Sequence, residues 1–214
     1  MGLSLIWGQN RPGDGTERAV VQFMRERSGL KADLIDLIDY RLSRLLPASN
    51  RFFPEHAGAL ELHASYTREQ ILLALGKGTF ERPANHREGV LHLPERKVDA
   101  FFVTIEKSEQ DFAPTTLYED YALSPELFHW QSQSTITPES PTGKRYINHR
   151  ELGYQPLLFV RQGKRLPNGL TEPFQFVGSV KYVRHEGSKP MSIVWRMQHP
   201  LPARIYRQCR REAV

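Results

Sequence analysis

The stretch PFQFVGSVKYV, residues 173–183, decides the fold class, because it is long and rich in β-branched and aromatic residues. Two stretches of the same kind flank it, PLLFVRQ at 156–162 and MSIVWRMQ at 191–198. Turn residues separate the three, with Asn168 and Gly169 at the tip of a hairpin connection. The C-terminal third therefore predicts a curved, mostly antiparallel sheet or an open barrel.

Upstream of these strands, the sequence alternates between helical and extended patterns. Thr67 and Gln70 have the spacing of a capping box, which predicts a helix through Leu75. The segments GVLHL at 89–93 and DAFFVTIEK at 99–107 read as strands, and the continuous apolar run of the second is typical of a buried strand. Helices and an antiparallel sheet together predict the α+β class.

The centre of the chain contains two predicted helix starts. Ser124-Pro125 resembles the first turn of a short helix, and residues 129–134 alternate as a strand would. Ser140-Pro141 resembles an N-cap followed by proline at the first helical position, and predicts a helix through about Arg150.

The N-terminal segment predicts a helical hairpin. Apolar residues recur at helical spacing over 16–27, and Gly29 is expected to end this first helix. They recur again at helical spacing over 31–46, which predicts the second helix. We expect residues 1–59 to form a helical segment or connector, and residues 60–214 to form the main domain.

The composition is that of a soluble globular protein with one good core. The chain has 214 residues, 39% of them hydrophobic, and a single cysteine, Cys209, in a polar tail. One cysteine allows no internal disulfide and no cysteine-based zinc site. No secretory leader and no apolar run of about 20 residues is present, so the sequence predicts a cytoplasmic protein.

Charge is distributed unevenly along the chain. Residues 1–143 contain 15 Lys and Arg against 20 Asp and Glu, whereas residues 144–214 contain 14 against 4. Clustered cations release counterions from a nucleic-acid backbone, so the basic C-terminal part favours a phosphate-bearing partner. A solvated basic surface without a partner is the alternative.

The segment 117–147 concentrates aromatic, acidic and polar side chains. Its rings can stack on a planar group, while an adjacent carboxylate accepts hydrogen bonds from the exocyclic amine of a base. The alternative is that the rings belong to the core and the carboxylates pair with arginines. The candidate base-binding residues are Tyr118, Asp120, Tyr121, His129 and Trp130.

A second set of residues suits the phosphates of a DNA backbone. Hydroxyl groups at a helix start and nearby Lys, Arg and His side chains are the donors that phosphate oxygens accept. The candidates are Ser140, Thr142, Lys144, Arg145, Lys181, Arg184, His185 and Lys189.

Catalysis is poorly supported by the sequence. Asp120, Glu139 and Lys144 form the one acidic and basic trio near the centre, and their spacing does not match the short acid-x-Lys signal of a metal-dependent nuclease. The histidines show no metal-ligand spacing. We therefore expect no enzyme activity, no cofactor and no metal, and the small nuclease remains a minor alternative.

Several long motifs resemble a known bacterial domain of unknown function. They are YEDYALSP, FHWQSQS, SPTGKRYI and HEGSKPMSIVWR, within a resemblance that covers about residues 60–202. That domain forms the C-terminal end of many superfamily 2 helicases that also carry a phospholipase-D-like nuclease. This chain lacks helicase motifs, a P-loop and the HxK nuclease motif, so it resembles either a stand-alone relative or the C-terminal piece of such a protein.

The resemblance implies an SRA-like or PUA-like fold, as in type IV restriction enzymes that cut modified DNA. It implies a specificity module that flips a methylated or hydroxymethylated cytosine out of double-stranded DNA and serves a restriction or defence helicase-nuclease, in cis or in trans. The alternative function is a docking module that binds a helicase or nuclease through the N-terminal helices and reads no base.

Overall fold

The computed structural model describes residues 60–79, 84–106 and 120–210, together with residue 82 and isolated positions between 22 and 37. The chain divides into two compact units, residues 1–51 with 80–82 and residues 52–79 with 83–214. In the first unit, Gly29 is helical, so it does not end a helix as the sequence predicted. The described positions 22, 25, 26, 32, 33 and 35–37 are also helical, whereas Arg27 is not. The remaining residues of the two predicted N-terminal helices lie outside the described residues, and the boundary at residue 59 stays a prediction.

The described part of the second unit is built on one eight-stranded sheet. Along the sheet the strands run in the order β2-β3-β6-β7-β8-β5-β4, and β1 pairs with β7. Every pairing is antiparallel except that of β3 with β6. The strands are β1 (Ser65–Tyr66), β2 (Val90–Leu93), β3 (Val98–Thr104), β4 (Tyr121–Ser124), β5 (Leu127–Gln131), β6 (Gln155–Arg161), β7 (Phe174–Glu186) and β8 (Ser192–Met197).

Three short α-helices and one 3-10 turn (Pro94–Arg96) accompany the sheet in the described part of this unit: α1 (Arg68–Ala74), α2 (Pro141–Ile147) and α3 (Ala203–Cys209). The predicted α+β class with a mostly antiparallel sheet is confirmed. The predicted capping box is also confirmed, because Thr67 accepts a hydrogen bond from the backbone of Gln70 and the Gln70 side chain accepts one in return.

Two local predictions in the centre of the chain need correction. Ser124-Pro125 does not start a helix, since residues 125 and 126 form the tight turn between β4 and β5. Ser140 does cap α2, but this helix ends at Ile147 rather than near Arg150. Gly143 is required in its first turn, because a Cβ there would collide with the carbonyl of Thr137.

The long strand β7 bends and so divides the sheet into two halves. Its first part pairs with β6 as far as Ser179, and its second part pairs with β8 from Val180 onward. Gly178, at the bend, has a φ of 97°, a backbone conformation that favours glycine. The first half-sheet contains β2, β3, β6 and the start of β7, and the second half-sheet contains the end of β7, β8, β5 and β4.

Two hydrophobic clusters form the core. The first lies between the inner face of the second half-sheet, one face of the first half-sheet, and side chains of α2 and α3. The second lies on the opposite face of the first half-sheet, where Ile71 and Leu72 of α1 pack. Both faces of the first half-sheet are therefore buried, which explains why every residue of β3 is buried and most of them are apolar.

The last helix, α3, was not predicted, and it corrects the view of the C-terminus as a polar tail. Ile205 and Cys209 are buried in the first cluster. Burial raises the pKa of the Cys209 thiol to about 12, so this cysteine acts as a small apolar side chain. No helix in the described part of the chain is long and apolar enough to cross a membrane.

Candidate nucleic-acid interface

The second half-sheet has one face in the core and one face turned away from it. Phe128 pairs with Trp195, and Trp130 pairs with Ile193; all four side chains are buried in the first cluster. Because side chains alternate along a strand, the residues between them point to the opposite face. We call this face the outer face; it carries Lys181, Arg184, Arg196, His129 and Tyr121 together with smaller neighbours.

The strand register arranges the outer face in rows. In one row, Lys181 of β7 lies opposite Arg196 of β8, and Arg196 lies opposite Leu127 of β5. In the next row, Val194 lies between Arg184 and His129, and His129 lies opposite Tyr121 of β4. Cations therefore occupy the β7 and β8 side of the face, and aromatic rings occupy the β5 and β4 side.

Lys181 and Arg196 form a like-charge pair across neighbouring strands. Side chains directly opposite one another in an antiparallel pair have Cβ atoms about 4.5–5.5 Å apart, and like charges in that position repel. Both side chains are exposed, and among the described residues neither has an ion-pair partner. The free protein thus keeps an electrostatically unfavourable pair that an anion at this position would stabilise.

A bulge in β7 places Arg184 on the same face as this pair, in the next row. The register with β8 shifts between Tyr182 and Arg184, so that Val183 is an extra residue. Arg184 forms an ion pair of 3.1 Å with Glu186 on the surface, where the two side chains are 58% and 78% exposed. Such exposed pairs contribute little, so Arg184 can exchange this partner for a phosphate at small cost.

Tyr121 and His129 form a stacked pair on the same face. Their ring centroids are 4.7 Å apart, and the ring planes differ by 23°. Both side chains are partly exposed. The structure therefore brings together two of the predicted base-binding residues with two of the predicted phosphate-binding residues, Lys181 and Arg184.

Trp130 does not belong to this surface. Its side chain is 4% exposed and stacks on Phe101, with ring centroids 4.4 Å apart. The edge of Tyr146 contacts it from another side. Trp130 is a core residue, and its assignment as a base-stacking residue is corrected for that reason.

Asp120 is also buried, at the start of β4. Its Oδ1 accepts a hydrogen bond of 2.9 Å from the backbone N–H of Gln131. This contact ties β4 to the end of β5. The carboxylate therefore has a structural role here, and its assignment as the group that reads a base edge stays a prediction.

Arg145 is engaged inside the protein rather than at its surface. Its Nε donates to Oδ2 of Asp99 at 2.8 Å, and Nδ1 of His92 donates to Oδ1 of the same carboxylate at 2.9 Å. Asp99 is 0% exposed and Arg145 14%. This buried ion pair joins α2 to the first half-sheet, so the assignment of Arg145 as a DNA-backbone contact is corrected.

Ser140 and His185 also have partners within the fold. The Ser140 hydroxyl accepts from the Gly143 N–H at 3.1 Å and donates to the Thr137 carbonyl at 2.7 Å, which completes the cap of α2. His185 faces inward opposite Ile193, and its Nδ1 lies 2.6 Å from the Tyr182 hydroxyl. Both side chains are partly exposed, and their phosphate-binding assignments stay predictions.

The remaining predicted residues are exposed or undescribed. Lys144 and Lys189 are exposed, and Thr142 is partly exposed on α2. Tyr118 lies outside the described residues. Within the described ranges, no three His, Cys, Asp or Glu side chains are grouped so as to hold a metal ion.

Sequence reasoning missed Arg196 and the pair formed by Asp99 and His92. Arg196 is the charged residue within the strand MSIVWRMQ, and alternation with the flanking apolar residues is the signal that places it outward. Asp99 is a charge inside an apolar strand, which signals a buried partner. The identity of that partner, 46 residues away on α2, has no local signal.

His149 follows α2 and contacts the back of β7. Its Nδ1 donates to the Tyr154 carbonyl at 3.1 Å, and its Nε2 accepts from the Tyr182 N–H at 3.1 Å. These two bonds require the neutral ring, protonated at Nδ1. Burial is the main cause that lowers the pKa of His149, and the nearby Arg150 and Lys181 act in the same direction.

Folding stability should therefore fall as the pH drops below about 6.5, the ordinary pKa of histidine. In this range the unfolded chain binds a proton that the folded His149 resists, so acid favours unfolding. His63, whose pKa is lowered by burial and by His199, adds to the effect. Urea unfolding at pH 7.5 and 5.5 measures it; His149→Gln should reduce the difference, and equal pH dependence in both proteins would refute the role of His149.

The fold and the outer face define a small α+β domain whose sheet carries exposed cations and a partly exposed aromatic pair on one surface. The family described as Domain of unknown function (DUF3427) matches residues 60–209, and the chain belongs to this family. Among solved structures, the chain is similar to the DNA recognition domain of the cytosine modification-dependent restriction endonuclease LpnPI. That similarity has a TM-score of 0.36 and 13% identity, and covers 67% of this chain and 74% of the other. No curated protein matches the chain.

The family match confirms the sequence-based resemblance to a domain of unknown function. It begins at residue 60, as the resemblance does, and reaches residue 209, which brings α3 into the family's domain. The association with helicases and nucleases stays a prediction.

Proposed function

We propose that this domain binds DNA through the outer face of its second half-sheet. The observation that supports the proposal is the unneutralised pair of Lys181 and Arg196, with Arg184 in the neighbouring row. A like-charge pair kept on an exposed face is unfavourable in the free protein, and a phosphate placed over it turns repulsion into attraction. The basic balance of residues 144–214 adds a longer-range attraction for the same partner.

We further propose that the domain recognises a modified cytosine, methylated or hydroxymethylated, in double-stranded DNA after the base is flipped out. The stacked pair of Tyr121 and His129 lies on the same face as the cations, in the row of Arg184, with Val194 of β8 between Arg184 and His129. An extruded base stacks favourably on such rings, by about 1–3 kcal/mol per base, which offsets the few kcal/mol that flipping costs. The resemblance to modification-dependent restriction proteins supplies the proposed substrate.

In this proposal the chain is a recognition domain and not an enzyme, and it needs no cofactor. It serves a restriction or defence helicase-nuclease, as part of the same polypeptide or as a separate partner. The sequence supports this division of labour, because it carries no helicase, P-loop or HxK motif.

The test of the interface is DNA affinity across a salt series. Each phosphate neutralised by the protein contributes about −0.9 to the slope of log affinity against log salt. The double variant Lys181→Ala/Arg196→Ala should make the slope of log affinity against log salt less steep by about two, because it removes two cations. The matched control Lys77→Ala/Arg87→Ala removes the same charge from exposed positions elsewhere and should reduce it much less. Equal effects of the two double variants would contradict the proposed interface.

The test of base recognition compares matched duplexes that carry cytosine, 5-methylcytosine or 5-hydroxymethylcytosine. We expect at least tenfold tighter binding to a modified duplex, about 1.4 kcal/mol. Tyr121→Ala and His129→Ala should reduce that preference and leave the salt slope unchanged. Equal binding to all three duplexes would reject base recognition and keep the phosphate interface, whereas no binding above background would favour the docking alternative.

A further inference from the structure

The bulge in β7 determines on which face its cations lie. In a regular strand, residues i and i+2 share a face, so Lys181 and Arg184, three positions apart, would point to opposite faces. The extra residue Val183 shifts the alternation of side chains by one position, so that both cations lie on the outer face. Bulges are a recognised means of re-aiming a side chain near a functional site.

A buried histidine stabilises this bulge from the core side. The N–H of Tyr182, where the register shift begins, donates to Nε2 of His149 at 3.1 Å. His149 is 4% exposed and is held in turn by its bond to the Tyr154 carbonyl. Its ring also packs against Trp195, with centroids 5.9 Å apart. The backbone at the bulge is therefore bonded to a side chain that has little freedom to move.

We infer that His149 is a positioning residue for DNA binding, because its bond to the Tyr182 N–H keeps β7 in the register that places Lys181 and Arg184 on one face. The inference rests on the proposed function, since it concerns the same interface. His149 itself is buried and makes no contact with DNA. Its effect is transmitted through the backbone of β7 to the two cations on either side of the bulge.

The experiment compares two substitutions at position 149 in the full chain. His149→Leu fills the site but cannot accept the Tyr182 N–H, whereas the side-chain carbonyl of His149→Gln can. We expect His149→Leu to bind duplex DNA with a salt slope less steep by about one to two, the contribution of the two cations. His149→Gln should retain the wild-type slope.

Two controls separate positioning from general loss of stability. In a Lys181→Ala/Arg184→Ala background, His149→Leu should change the salt slope no further, because the groups it positions are already absent. Leu72→Ala, in the second hydrophobic cluster, should lower the melting temperature and leave the salt slope unchanged.

A wild-type slope in folded His149→Leu would overturn the inference alone, as would an equal change of slope in Leu72→Ala. If the wild-type protein shows no salt-dependent DNA binding, the proposed function fails, and the inference fails with it. Additive effects of His149→Leu and the double cation variant would also overturn it, because they would place the two effects at separate sites.

Discussion

Trp130→Ala is expected to lower the free energy of unfolding by about 3–5 kcal/mol, the range for removal of a large buried aromatic side chain. Trp130 is buried in the first hydrophobic cluster, where it stacks on Phe101 and is contacted by the edge of Tyr146. Alanine leaves a cavity among these rings that the rigid sheet cannot close. Urea unfolding followed by circular dichroism measures the loss.

Tyr121→Ala is the matched control, since it removes an aromatic ring from the outer face of the neighbouring strand. Its cost should be smaller, because the side chain is partly exposed and its stack with His129 contributes about 0.5–1.5 kcal/mol beyond the area it buries. If Trp130→Ala proved no more destabilising than Tyr121→Ala, Trp130 would have to lie at the surface, contrary to the structure.

Asp99→Asn is expected to lower the free energy of unfolding by about 3–5 kcal/mol, the usual cost of removing one partner from a buried ion pair. The substitution keeps the shape of the side chain but leaves the Arg145 guanidinium without its carboxylate in a mostly buried position. One of the two donors, Arg145 Nε or His92 Nδ1, would also face an amide N–H. Chemical unfolding at pH 7.5 provides the measurement.

The comparison for Asp99→Asn is Glu186→Gln, which removes the same charge from the exposed ion pair with Arg184. Exposed pairs contribute about 0–1 kcal/mol, so this variant should unfold almost as the wild type does. Similar losses in the two variants would mean that the Asp99 pair is solvated and does not fasten α2 to the sheet.

Local sequence signals predicted much of the sheet. The β-branched and aromatic content of β6, β7 and β8 and the turn at Asn168 and Gly169 were sufficient to locate these strands. The capping residues of α1 and α2 were equally local, because each cap bonds a backbone N–H only three residues away. Such features are visible in sequence because the interacting groups are close in the chain.

The site was harder to predict because it depends on which face of a strand each residue occupies. Trp130 and His129 are neighbours in sequence, yet one is in the core and the other on the outer face. The alternation of Phe128 and Trp130 indicates the face on which each residue lies, whereas residue type alone groups the aromatic residues of both faces into one candidate pocket. Whether a partner can reach a strand residue depends more on the face to which its side chain points than on the type of residue.

Two further features had no local signal. The phase of β7 changes at its bulge, so counting by twos from Lys181 would have placed Arg184 on the inner face. The contact between Arg145 and Asp99 joins residues 46 positions apart. Long-range pairing of this kind follows from how the sheet and α2 pack. The composition of the sequence does not show which distant residues will pair.

The central claim, that DNA lies on the outer face, is tested most directly by acetylation of lysines with and without duplex DNA, followed by mass spectrometry. Lys181 and Lys77 are both exposed in the free protein, so both should react readily without DNA. We predict that saturating duplex strongly reduces acetylation of Lys181, in the row with Arg196, and leaves Lys77 unchanged. Undiminished acetylation of Lys181 at saturation would contradict the account.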